Sequence, residues 1–152
     1  MHEDTDVENH PVRILRADVS EALLARQAIG EVHRRRLDSD KAVADFLANE
    51  SCYLLIAATG DEVVGSLNGY ALTHPHRRQL QFLLYDIDVK ESWRQRGIGS
   101  SLINAFVAEA RKKGAFEVWV LTNQSNEAAM AMYRKCGFTR SNSDDAMFSL
   151  AL

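Results

Sequence analysis

Cysteine, proline and long apolar runs are what this 152-residue chain has least of. Each shortage excludes something. No run approaches the roughly 20 apolar residues of a membrane-spanning helix. Cys52 and Cys136 fall in no metal or redox spacing; Cys52 lies in an apolar strand-like run and Cys136 near a helix end, so both read as reduced packing residues. The five histidines, His2, His10, His33, His74 and His76, form no H-E-x-x-H pattern, and no metal site is expected. The glycines spell neither common nucleotide motif. A P-loop needs Gly-Lys-Ser/Thr after its second glycine, and a Rossmann fingerprint needs a third glycine where Leu102 stands, which argues against nucleotide hydrolysis and NAD chemistry. Residues 1–10 are polar and acidic and lack the basic start and apolar core of a signal peptide, so a cytoplasmic protein with a disordered lead is expected. Positive charge is also in short supply: the formal net charge is −3, which disfavours nucleic acid and favours cationic small molecules.

What is present is a glycine-containing turn, Arg94-Gln95-Arg96-Gly97-Ile98-Gly99, between a strand-like run at 81–89 and a helical run at 100–112. The first N–H groups of a helix have no internal partners, and its dipole attracts negative charge. Glycine adds freedom to approach an anion, and the arginines add charge. A phosphate-bearing ligand is expected at residues 94–100.

Around this turn the patterns predict one domain over 11–152. A short strand falls at 12–15. A helix capped by Asp18 or Ser20 runs towards Val32, and the basic run His33-Arg34-Arg35-Arg36 ends it as a solvated terminus. Ser39 precedes a second helix at 40–48. Strands at 52–58 and 63–73 flank the turn Thr59-Gly60-Asp61-Glu62 as a hairpin, and a third strand spans 79–89. The helix at 100–112 carries the apolar stripe Leu102, Ile103, Phe106, Val107 and Ala110. Gly114 ends it. A strand at 116–121 follows, then a helix capped by Ser125 or Asn126 and ended by Gly137. The alternation at 146–152 predicts a final strand. These elements make an α/β (α+β) fold, a mixed, mainly antiparallel sheet flanked by helices on both faces.

A second motif, Asn126-x-x-Ala129-x-x-x-Tyr133-x-x-x-Gly137-Phe138, follows the glycine turn by about thirty residues. With Ile87-x-Val89 leading into Arg94-x-x-Gly97-x-Gly99, it resembles the GCN5-related N-acetyltransferases. The resemblance implies that residues 94–100 (Arg94, Gln95, Arg96, Gly97, Ile98, Gly99 and Ser100) hold the pyrophosphate of acetyl-coenzyme A. It further implies that the strand carrying Ile87 and Val89 splays from its neighbour to admit the pantetheine arm, with Asn126, Ala129 and Tyr133 near that arm. A homodimer is implied too. More narrowly, Tyr85-Asp86-Ile87-Asp88-Val89, Asp38-Ser39-Asp40 and Glu62-Val63-Val64-Gly65-Ser66-Leu67 look like the aminoglycoside 3-N-acetyltransferases of the gentamicin-modifying type. Asp88 departs from that subgroup, which has a small apolar residue there, and residues 122–127 have the commoner form of the superfamily.

The implied chemistry is acetylation of an amine, with the 3-amine of an aminoglycoside such as gentamicin as the first acceptor. A polyamine, another small amine or a protein amine is an alternative, as is a non-catalytic coenzyme A sensor. Asp86 is the candidate base for the amine, because an aspartate is disfavoured inside an apolar strand without a task. Asp86 and Asp88 should share a face, with Tyr85, Ile87 and Val89 on the other, unless a bulge changes the parity. Tyr133 is the candidate acid for the departing thiolate, and the Val89 N–H the candidate oxyanion donor. An acidic pocket for a polycation would draw on Asp38, Asp40, Tyr85, Asp86, Asp88, Asp144 and Asp145.

Overall fold

The computed structural model describes residues 10–140, 144 and 146–152. Five strands form one sheet in the order β1 (Arg13–Arg16), β2 (Cys52–Thr59), β3 (Glu62–His74), β4 (Arg77–Val89) and β5 (Glu117–Val120). The first four pair antiparallel and β5 pairs parallel to β4. Strand-forming residues fill β2, and Tyr53 through Ala58 are buried on both faces because helices cover both sides.

On one face α3 (Ile98–Lys112) and α4 (Glu127–Lys135) pack their apolar stripes on Tyr53, Leu67, Phe82 and Leu84. Gly69 of β3 makes this contact close: a Cβ there would stand 2.4 Å from Phe106 Cζ and 2.7 Å from the Leu83 carbonyl oxygen. On the other face α1 (Ala22–Gln27) and α2 (Asp40–Ala48) cover Leu54, Ile56, Ala58 and Val63. Asp18 begins the α1 segment in a capping box with Glu21, and Ser39 caps α2 through the Ala42 N–H at 3.1 Å.

Two expectations are revised. The first helix does not run as one α-helix to Val32. After Gln27 it widens into a π turn, Ala28–Val32, in which the His33 N–H reaches the Ala28 carbonyl at 3.0 Å. The chain then leaves through Arg34 at a φ of +54°. The other revision concerns 146–152, which forms no strand: Met147, Phe148, Leu150 and Leu152 are exposed there. Alternation makes a strand only where a neighbouring edge accepts its hydrogen bonds, and none of the five strands pairs with this segment.

Candidate active site

The sheet opens at one place. β4 and β5 pair from Gln81–Glu117 to Leu84–Val120 and no further. From Tyr85 to Val89, β4 keeps β3 as a partner but has lost β5. The register with β3 shifts at the same point: Asn68 faces Asp86, Gly69 faces Leu84, and Tyr85 is the extra residue of a bulge. The bulge resets the side-chain parity. Phe82 and Leu84 face α3 before it, and Ile87 and Val89 face α3 after it. Asp86 and Asp88 share the opposite face, as their spacing requires. Tyr85 is released from the alternation; it is 64% exposed and packs edge-on against Tyr70, which meets Phe46 of α2.

Where β4 ends, the chain turns through Gln95 at a φ of +59° and Gly97 at +79° into α3. A left-handed residue at 97 suits glycine, and among the described residues no side chain caps α3. The Gly97 carbonyl accepts from the Ser101 N–H and hydroxyl, but the first-turn amides stay available to an external acceptor. α2 and α4 are closed by Ser39 and Asn126, whereas α3 presents a bare, positively polarised end. Arg96 lies over the Trp93 ring at 4.7 Å and lines a cavity of about 140 Å³ with Ile98 and Ser101.

Arg94 and Asp88 serve each other. Arg94 Nη2 lies 3.2 Å from Asp88 Oδ1, and Arg94 Nε donates to the Val89 carbonyl at 2.9 Å. Asp88 Oδ1 also accepts the Val89 N–H at 2.8 Å. In this state the Val89 amide expected to face the oxyanion is therefore occupied, and Arg94 braces the turn from within the chain. The carboxylate at 88, next to a donor amide and a guanidinium, finds its partners locally.

Asp86 is placed differently. Its Oδ2 lies 3.2 Å from Nδ1 of His33, whose side chain is only 6% exposed. The approach is at hydrogen-bond distance but off the line of the ring N–H, and among the described residues neither ring nitrogen finds an aligned hydrogen-bond partner. Burial pulls the His33 pKa below its ordinary value, against the opposing pull of Asp86 and Asp88. Tyr133 of α4 is buried at 8% exposure. Burial raises its pKa, and the charge of Asp86 raises it further, so the phenol keeps its proton at neutral pH.

The remaining expected residues scatter. Asn126 Oδ1 accepts the Ala129 N–H at 3.1 Å and so caps α4. Asp40 is tied to Arg26 at 2.8 Å, while Asp38 and Asp144 are exposed. Asp145 lies outside the described residues. The approach of His33 to Asp86 was not foreseen, because a histidine among three arginines at a helix end has no signature of its own. The only hint was Asp86, a carboxylate in an apolar strand that needs a partner.

The parting of β4 from β5 after Leu84, the bare end of α3, and a buried phenol within electrostatic reach of Asp86 are the features that set this region apart. The family model of the acetyltransferase (GNAT) family matches residues 20–138. The chain belongs to that family. Among curated relatives, an uncharacterised N-acetyltransferase, YvbK of Bacillus subtilis, is 31% identical over 66% of this chain and 61% of its own length. The L-2,4-diaminobutyric acid acetyltransferase of Shouchella clausii is 33% identical over 62% of this chain and 51% of its own length. The chain thus spans little more than half the length of these relatives. Among solved structures, the aminoglycoside acetyltransferase meta-AAC0020 from an uncultured soil metagenomic sample, in complex with sisomicin, superposes with a TM-score of 0.80. It shares 22% identity over 93% of this chain and 97% of that one, a likeness of fold. Among the described residues no group of three or more histidine, cysteine, aspartate or glutamate side chains could hold a metal, and no helix is long and apolar enough to cross a membrane.

Proposed function

We propose that this protein transfers the acetyl group of acetyl-coenzyme A to an amine of a small polycation, with the 3-amine of an aminoglycoside such as gentamicin as the first candidate and antibiotic resistance as the consequence. The carrying observation is the loss of β4–β5 pairing after Leu84 and Val120, which opens a gap from the bare end of α3 to Asp86.

Acetyl-coenzyme A supplies the acetyl thioester. The amides of 96–100 fit its pyrophosphate, with Arg96 and Ser100 adding side-chain contacts and Gln95 setting the turn. Ile87 and Val89 offer backbone along the gap, opposite Asn126, Ala129 and Tyr133. Asp86 takes a proton from the ammonium group of the acceptor, which frees a lone pair for attack on the acetyl carbon. Tyr133, held protonated, gives its proton to the departing sulfur. The oxyanion is assigned to the Val89 N–H, which requires Asp88 to release that amide. Asp38, Asp40, Tyr85, Asp88, Asp144 and Asp145 are assigned to the acceptor's remaining ammonium groups. A cytoplasmic homodimer goes with this reading, and sedimentation checks the dimer.

A diamine acceptor is the second reading, favoured by the relative named for 2,4-diaminobutyric acid. One assay separates the two. Thiol release from acetyl-coenzyme A is followed with gentamicin, kanamycin, 2,4-diaminobutyrate and spermidine offered singly, and the acetylated nitrogen is located by NMR. Turnover of gentamicin at the 3-amine is expected. Turnover of a linear amine alone would overturn the aminoglycoside assignment, and coenzyme binding without any turnover would favour the sensor.

A further inference from the structure

We propose that His33 works through Asp86 as the second member of an acid–base pair, so that the proton Asp86 takes from the acceptor amine moves on to the His33 imidazole. The inference rests on the reading of Asp86 as the base and deepens it.

The geometry points there from three directions. First, contact: His33 Nδ1 and Asp86 Oδ2 are 3.2 Å apart. Second, the imidazole is buried without, among the described residues, the aligned partners that buried polar groups normally have. Ser66 Oγ, on β3 opposite Asp88, is likewise buried and unpartnered. A histidine kept only for packing would be expected to have its ring nitrogens satisfied or exposed.

Third, the backbone is shaped to hold the ring in place. The π turn carries the chain to His33 and the left-handed Arg34 takes it away. Departures of this kind persist where the surroundings enforce them, and they cluster at functional sites. The surroundings here include Lys90, just past the end of β4. Its ammonium binds Glu31 of the π turn at 3.0 Å and Glu62 of β3 at 3.3 Å. Two residues before His33 and four after Asp86, the two segments are thus tied by charge.

The groups around the imidazole are few. Asp86 and Asp88 face it from β4, and Arg35 lies two residues along its own segment. β3, packed against the π turn, sets neutral Asn68 and Ser66 opposite these two carboxylates. Tyr133 of α4 feels the charge of Asp86 and is itself a neutral phenol. With burial outweighing its acidic neighbours, His33 is neutral at pH 7 and has a lone pair to accept a proton.

The step balances. An N–H bond of the acceptor's ammonium breaks as an Asp86 O–H forms. That O–H breaks as a His33 N–H forms, which restores the carboxylate and leaves an imidazolium beside it. The freed amine attacks the acetyl carbon and the C–S bond breaks; the Tyr133 phenol gives its proton to the departing sulfur and takes back the second N–H proton that the nitrogen sheds as the amide forms. After the product leaves, the proton returns through Asp86, whose side chain is 36% exposed, to water.

Two measurements test this. In protein labelled with ¹⁵N at histidine, the His33 titration midpoint should fall further when Asp86→Asn removes the neighbouring charge. An unchanged midpoint overturns the pair. The second is a double-mutant cycle on the amine that is turned over, with His33→Asn, which keeps a polar group but cannot take the proton, and His33→Ala. His33→Asn should lower kcat by about a hundredfold, leave the KM for acetyl-coenzyme A unchanged, and remove the acid limb that His33 contributes to the pH profile. Against Asp86→Asn it should cost nothing more. An equal loss in both backgrounds, or a wild-type pH profile in His33→Asn, overturns the relay and leaves Asp86 as a base acting alone. Wild-type turnover in Asp86→Asn instead removes the base assignment itself. Should His33→Ala fail to fold, His33→Asn decides.

Discussion

From Arg77 to Leu84, β4 is bonded to β3 and, from Gln81, to β5 as well; from Tyr85 to Val89 it is bonded to β3 alone. From Gln81 the paired half alternates and sends Phe82 and Leu84 into the core. In the other half a bulge, two aspartates and an exposed tyrosine interrupt the apolar pattern. One strand thus serves two ends, with pairing supplying rigidity in its first half and lost pairing supplying access in its second. A carboxylate is tolerable only in the second, where Asp88 finds Arg94 and Asp86 finds His33.

Substitutions at the two ends of β4 should therefore fail in different ways. The largest effect is expected from Phe82→Ala, a fully buried ring whose loss should lower unfolding free energy by about 3–5 kcal/mol in urea titrations. Asp86→Asn should change stability by less than about 1 kcal/mol, yet lower turnover by about 10²–10⁴. Equal stability losses at the two positions would erase the distinction. Gly97→Val comes next, since a branched residue resists the φ of +79° that aims the turn into α3. Affinity for acetyl-coenzyme A, measured calorimetrically, should fall about tenfold, and retained affinity would detach the turn from the phosphate. The smallest effect concerns acid. Burial lowers the folded-state pKa of His33, so the unfolded chain takes up a proton first, near pH 6.5. Its contribution is fully present above that pH and is lost as the pH falls towards the lower folded pKa. Thermal melts should show this decline in the wild type and a shallower one in His33→Asn.

Much of this architecture was legible in the chain. Ser39 announced its helix and the pair Ser125 and Asn126 the last one, the Thr59–Glu62 turn its hairpin, and 94–100 the bare helix end, because each depends on neighbours within a few residues. The bulge at Tyr85 was foreseeable only as a possibility, since register is settled between strands. The Asp88–Arg94–Val89 arrangement was missed for a related reason: a short carboxylate and a nearby guanidinium choose each other over distant ligands once the turn brings them together. His33 lay beyond reach because its approach to Asp86 depends on a π turn and on contact across 53 positions of sequence, and no local periodicity encodes either. The tail at 146–152 erred the other way, with a clean pattern but no edge to join.

The bare end of α3 has a consequence for motion. Its first turn contains Gly99 and follows Gly97, so it loses more chain freedom on winding than the turns behind it, and no side chain among the described residues holds it closed. Such a turn is the first part of a helix to fray and to exchange its amide hydrogens with water. An anion seated there would supply the missing bonds, and winding the turn would become part of the binding equilibrium. The same few amides would then act as grip and as latch, loose in the free protein and slow to exchange once the donor is held.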